Sequence, residues 1–227
     1  GDDNLSIGSQ AGVSLTTGNY NNYLGSESGR YFTTAGYNTT LGHQALKGSS
    51  GNSTGGFNTA IGYQAARSVT TGNDLVAIGR QCLKDCTTSS DTTAVGGKAL
   101  QSLTTGFRNT AVGYSAGELL ESNGSNTLFG AFAGAHITGG NNTIIGSDAG
   151  NTGTNDLTTG SNNILIGYNA AASSATVSNE ITLGDANITK FRIPGINVVL
   201  KDNGGTPTNG HVLTVDSNGE AGFAAAS

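Results

Sequence analysis

The sequence predicts an all-β repeat fold, a β-solenoid (or β-roll) of about eleven 17-residue coils followed by a small C-terminal β tip. Three observations lead there. Glycine contributes 37 of 227 residues, more than double its usual ~7% share. Apolar residues make up only 35%, below the usual ~45–50%, which argues against an α/β or helical enzyme with a thick core. Such a Gly-, Ser-, Thr- and Asn-rich chain orders only if it is periodic, and this one repeats itself.

The repeat is anchored on a glycine that follows a large apolar residue. Anchors fall at Gly8, Gly25, Gly42, Gly62, Gly79, Gly96, Gly113, Gly130, Gly146, Gly167 and Gly184, mostly 17 residues apart. The consensus Asn-Thr-Ala-Ile-Gly-Tyr-x-Ala-Gly stands at Asn58–Ala66, Asn109–Gly117, Asn126–Gly134 and Asn142–Gly150. Seventeen residues are too few for a βαβ unit, and no helical period is sustained. Each unit reads as two short strands and two turns, stacked ~4.8 Å apart.

Each column of the repeat has a physical reading. The residue before the anchor is apolar in every copy: Ile7, Leu24, Leu41, Ile61, Ile78, Val95, Val112, Phe129, Ile145, Ile166 and Leu183. This uniformity predicts a stacked core, with Ile61, Ile78, Val95, Val112 and Ile145 buried. Three residues after the anchor stands a small residue, among them Ala65, Cys82, Ala99 and Ala116, which predicts a tight gap. Ten residues before the anchor comes a third column: Leu15, Phe32, Val69, Cys86, Leu103, Leu120 and Leu157. Asn stands four residues before most anchors, and with Gly it suits turns of positive φ. Recurrent Thr-Thr-Gly adds a further turn signal. Two insertions, near Lys47–Gly56 and Asn151–Thr159, leave from the same part of the repeat and read as binding loops or as tolerated drift. Each coil offers few large apolar side chains against the cost of ordering 17 residues. A homo-oligomer that buries further surface between chains is therefore expected.

The repeat ends after Gly184, which divides the chain into a solenoid over 1–187 and a β-rich tip or connector over 188–227. Ile188–Leu200 alternates and is β-branched, broken at Pro194-Gly195. Asn203-Gly204-Gly205-Thr206-Pro207 reads as a linker. Asp216-Ser217-Asn218-Gly219 is a hairpin turn signal between His211–Val215 and Glu220–Phe223.

Charge and composition exclude several functions. With 10 Lys+Arg against 15 Asp+Glu, net −5, the chain is a poor nucleic-acid or anionic-membrane binder. No apolar stretch approaches the ~18–20 residues of a membrane-spanning helix. Gly1-Asp2-Asp3 reads as a start inside a longer protein. Cys82 and Cys86 occupy apolar columns and read as buried thiols or a disulfide rather than metal ligands. His43, His136 and His211 are scattered, so no metal is expected. No nucleophile–His–acid set, phosphate loop or HExxH motif is present, and no enzyme activity or cofactor is expected. Tyr20, Tyr37 and Phe57, each five residues before an anchor, form a stacked aromatic ladder, structural or sugar-binding.

Asn-Thr-Ala-Val-Gly-Tyr-x-Ala followed by Thr-Thr-Gly resembles repeats of phage tail fibres of the kind that precede an endosialidase-type intramolecular chaperone. Asn-x-Ala-Ile-Gly-x-x-Ala is also similar to the head repeats of trimeric autotransporter adhesins, whose period is shorter. The resemblance covers about residues 4–187. It implies a parallel homotrimer in a virion tail fibre, contacting a host-surface glycan or protein and other tail proteins, with no nucleic acid and no membrane insertion. The alternatives are the head of a bacterial surface adhesin and a glycan-depolymerising fibre. The segment Gly210–Gly219 resembles the connection before the chaperone, and Ser227 would then be the self-cleavage residue.

Overall fold

The computed structural model describes residues 1–193, 198–201, 211–215 and 220–225. It divides into two units, Gly1–Gly184 and Asp185–Ser227. The first is a parallel β-solenoid of eleven coils. Each coil contributes one strand: β1 (Leu5–Ile7), β2 (Asn22–Leu24), β3 (Thr39–Leu41), β4 (Thr59–Ile61), β5 (Leu75–Ile78), β6 (Thr92–Val95), β7 (Thr110–Val112), β8 (Thr127–Phe129), β9 (Thr143–Ile145), β10 (Ile164–Ile166) and β11 (Ile181–Leu183). They form one sheet in sequence order, and every pair is parallel with anchor-aligned register, as Leu41↔Ile61 and Ile61↔Ile78 show.

A single strand per coil replaces the two expected. The rest of the coil turns too often to stay extended. Left-handed φ recurs after the anchor, as at Gln64 (57°) and Ala66 (49°), and again at Phe57 (59°). Coils still hydrogen-bond to one another in these parts: Leu46 N donates to Ala65 O at 2.9 Å and Gly48 N to Arg67 O at 3.0 Å. The only isolated β-bridge among the described residues, outside the strands, joins Phe32 to Ser53.

The anchor demands glycine for two reasons. Its φ lies at 129–141° from Gly8 to Gly167, a region that L side chains rarely adopt. A Cβ on Gly62 would also stand 2.6 Å from the carbonyl oxygen of Gly79 in the next coil. The coils stack too closely there for any side chain.

Burial corrects the expected core. Ile61, Ile78, Val95 and Val112 are only partly covered, Ile145 is exposed, and Phe129 in the same column is 56% exposed. Strand side chains alternate faces, and the column before the anchor points outward. The inward column lies one residue earlier: Tyr23, Thr40, Ala60, Ala77, Ala94, Ala111, Leu128, Ile144 and Leu165 are buried. The other two columns fall as expected. Ala45, Ala65, Cys82, Ala99, Ala116, Ala133, Ala149 and Ala170 are buried, as are Phe32, Val69, Cys86, Leu103, Leu120 and Leu157.

The core fits by exchange of volume between columns. Three coils with a small inward strand residue carry leucine four after the anchor: Thr40 with Leu46, Ala77 with Leu83, Ala94 with Leu100. The coil of Ala111 carries Gly117 instead, where a Cβ would stand 2.5 Å from Leu128 Cδ1 of the next coil. Three coils with a large one carry glycine there: Tyr23 with Gly29, Leu128 with Gly134, Ile144 with Gly150. A Cβ on Gly29 would sit 2.5 Å from the Tyr23 ring, and one on Gly134 2.9 Å from Ile144 Cδ1.

The asparagines do not supply positive φ, contrary to expectation. That conformation belongs to the residue before each of them. The asparagines point inward and form a buried ladder. Asn126 Oδ1 accepts from the backbone N of Asn142 at 2.9 Å, while Asn126 N and Nδ2 donate to Asn109 Oδ1 at 3.0 and 3.1 Å. Asn142 Nδ2 in turn donates to Gly160 O at 3.0 Å. Each amide thus satisfies backbone groups at a corner that carries no sheet bonds.

The second unit holds a four-stranded sheet of β12 (Lys190–Ile193), β13 (Val198–Lys201), β14 (His211–Val215) and β15 (Glu220–Ala225), in the order β12-β13-β15-β14. β14 and β15 pair antiparallel, His211 opposite Ala225 and Val215 opposite Ala221, as the hairpin signal predicts. Pro194-Gly195, Asn203–Pro207, Asp216–Gly219 and Ser227 lie outside the described residues.

Candidate functional site

The position five residues before the anchor is left-handed in all eleven coils. Six coils place Asp or Asn there (Asp3, Asp74, Asp91, Asn141, Asn162, Asn179), the residues that tolerate this conformation best. Tyr20, Tyr37 and Phe57 adopt it at φ 59°, 62° and 59°, where a bulky side chain is strained. Their rings stack. Tyr20 and Tyr37 centroids lie 5.1 Å apart at 22°, and Tyr37 and Phe57 4.8 Å apart at 5°. All three are exposed, at 50%, 54% and 59%.

This geometry limits what the ladder can bind. Rings about one coil apart leave no space for a sugar between them. The faces that point inward along the stack are closed, and the edges face solvent. Open faces remain only at its two ends, over the coils of Asp3 and Asp74.

A groove of about 290 Å³ runs beside Tyr37 and Phe57. Thr17, Thr34 and Thr54 line it in three successive coils. Their hydroxyls make no side-chain hydrogen bond among the described residues and are available to a ligand. Asn73 is committed: its Oδ1 accepts from Gly56 N at 2.7 Å and its Nδ2 donates to Thr71 O at 3.0 Å. No carboxylate, imidazole or amine lines the groove. It can hold a neutral polar ligand but offers no group to activate a nucleophile.

The remaining candidates scatter. Cys82 and Cys86 are free buried thiols, and burial pushes both up to about 12. Cys82 Sγ donates to Ala94 O at 3.1 Å. His43 stacks on Tyr63 at 5.7 Å, and His136 Nδ1 lies 3.1 Å from Asp156 Oδ2 across the second insertion. Among the described residues no group of three or more His, Cys, Asp or Glu gathers at one place, and no helix is long and apolar enough to cross a membrane.

Two surface features escaped sequence reasoning. One is the outward apolar column of the sheet, uninterrupted from Ile7 to Leu183 and joined strand to strand by the register. Beside it runs a second outward column, mostly threonine (Thr39, Thr59, Thr93, Thr110, Thr127, Thr143). Neither column contains a charged residue. The other is a ridge of basic side chains five residues after four consecutive anchors, from Arg30 to Lys84. No family model, curated protein or solved structure matches the chain.

Proposed function

We propose that this chain is the structural and receptor-binding part of a homotrimeric attachment fibre of the phage tail type, in which the solenoid serves as a stiff shaft. One observation carries the reading. The sheet presents an eleven-residue apolar column to its exterior, with Ile7, Leu41, Phe129, Ile145, Ile166 and Leu183 exposed. A continuous apolar stripe without charge marks a surface that another protein covers. Its repeat equals that of the solenoid, and a parallel copy of the same chain offers the same repeat. Closed symmetry then aligns like columns about a common axis.

The threonine-lined groove beside Tyr37 and Phe57 suits a neutral sugar of a host surface, the hydroxyls supplying hydrogen bonds and the ring edges an apolar wall. Light scattering tests the assembly. The expected mass is three times the 22.6 kDa of one chain, and a stable monomer overturns the reading.

A further inference from the structure

We propose that the ridge formed by Arg30, Lys47, Arg67 and Lys84 binds an anionic polysaccharide, one bearing sulfate or carboxylate groups on successive sugars. The four side chains occupy the same position in four consecutive coils, five residues after Gly25, Gly42, Gly62 and Gly79. Backbone bonds hold them in register: Tyr31 N donates to Lys47 O at 2.9 Å, Gly48 N to Arg67 O at 3.0 Å and Ser68 N to Lys84 O at 3.1 Å. The backbone positions that carry the cations therefore repeat at the coil spacing of ~4.8 Å.

The fold does not require them. The same position holds Val13, Gln101, Glu118 and Ala135 in other coils. Only 10 of 227 residues are Lys or Arg, yet four fall in one unbroken column, where like charges repel. Compensation is incomplete. Glu27 meets Arg30 at 3.2 Å and Lys47 more closely, while Lys84 meets only its neighbour Asp85, at 3.5 Å. Arg67 makes no ion pair among the described residues, and its buried Nε has no hydrogen-bond partner. Two carboxylates thus face four cations, and the cation left without an ion pair is Arg67.

The ridge is also held in place. The side chains of Arg30, Lys47 and Lys84 are only 27%, 14% and 25% exposed, so their stems lie against the protein. A glutamine ladder runs alongside. Gln64 Nε2 donates to Gln44 Oε1 at 2.8 Å, and Gln44 Nε2 to Glu27 Oε2 at 3.3 Å. Arg80 Nη1 donates to Gln81 Oε1 at 2.9 Å, adding a cation at the open end. A preordered row of donors loses little freedom when an extended anionic chain lies along it.

Nucleic acid fits less well. Single strands are held by cations together with open ring faces. The ring beside the ridge, Tyr31, is already covered by Arg30 at 4.9 Å and Lys47 at 5.8 Å.

The inference does not depend on the fibre reading, because the ridge is complete within one chain. The test measures binding of the whole protein to dextran sulfate, polygalacturonate, neutral dextran and a single-stranded thymidine oligonucleotide. A charged polysaccharide should bind, neutral dextran should not, and affinity should fall as salt rises. Arg67→Gln with Lys84→Gln should weaken binding on the order of tenfold and flatten the salt dependence, with the melting temperature unchanged. Arg108→Gln, outside the ridge, should leave affinity as it was. Failure of both charged polysaccharides to bind at low salt overturns the proposal. So does equal affinity of the double variant, or an oligonucleotide that binds as tightly as the polysaccharides. Light scattering on the same sample reads the oligomer separately: a trimer that ignores both polymers overturns this inference alone, and a monomer that binds them overturns the fibre alone.

Discussion

Asn126 shows what a single side chain contributes in this fold. Its amide serves the coils on both sides and lies fully inside the solenoid. Asn126→Ala orphans the backbone N–H of Asn142 and removes two donors from the Asn126 corner. An unsatisfied buried group costs about 1–3 kcal/mol, so a lower melting temperature is expected; an unchanged one would show the ladder to be dispensable. Glu27 works at the surface. Its hydrogen bond to Lys47, with a smaller contribution from Arg30, holds its carboxyl at about 2, against an ordinary 4.5. A folded-state value below the unfolded one stabilises above the unfolded pKa and is lost as pH falls through the folded one. The melting temperature should therefore fall between pH 4.5 and 2, and Glu27→Gln should fall less over that window. Equal falls would exclude Glu27 as the cause.

Among elements, packing is decided between columns rather than within them. Leucine at one position answers Thr40, Ala77 or Ala94 at another, and glycine makes room for a large side chain of its own or the next coil, as Gly29 does for Tyr23 and Gly117 for Leu128. The small column after the anchor has no such partner to yield. Ala99 is fully buried, and Ala99→Leu should overpack by ~1–3 kcal/mol per chain. Calorimetry that finds the parent's melting behaviour would show that this column has slack. Cys82 in the same column, with a protonated thiol and a carbonyl partner, acts there as a small apolar side chain.

At the scale of the whole molecule, the outward apolar column allows the proposed assembly to be tested apart from folding. Ile78 and Val95 lie in adjacent strands, β5 and β6, opposite each other in register. Ile78→Asp with Val95→Asp leaves the inward columns untouched but puts two charges into the proposed contact. The variant should keep its β circular dichroism yet run as a 22.6 kDa monomer. A variant that still assembles would place the contact elsewhere. Trimers of the parent chain should unfold slowly, since three long parallel contacts must part together.

The sequence by itself determined the number of coils, the glycine anchors, the insertions at Lys47 and Asn151, and the alignment of Tyr20, Tyr37 and Phe57. A period reports which residues are equivalent, and stacking makes equivalent residues neighbours. It also determined two of the three core columns. Only the tertiary structure decided which side of the strand is inside. Ile61, Ile78 and Val95 look like core because they are apolar in every copy, but the alternation of strand side chains turns them outward and the residue before them inward. The inward column escaped notice because its residues range from Ala60 to Tyr23. Their sizes make sense only against Ala66 and Gly29, residues the period does not pair. The asparagine ladder was hidden for a related reason: the sequence marks a polar residue at a corner, but only the stacked coils show that its amide replaces missing backbone partners.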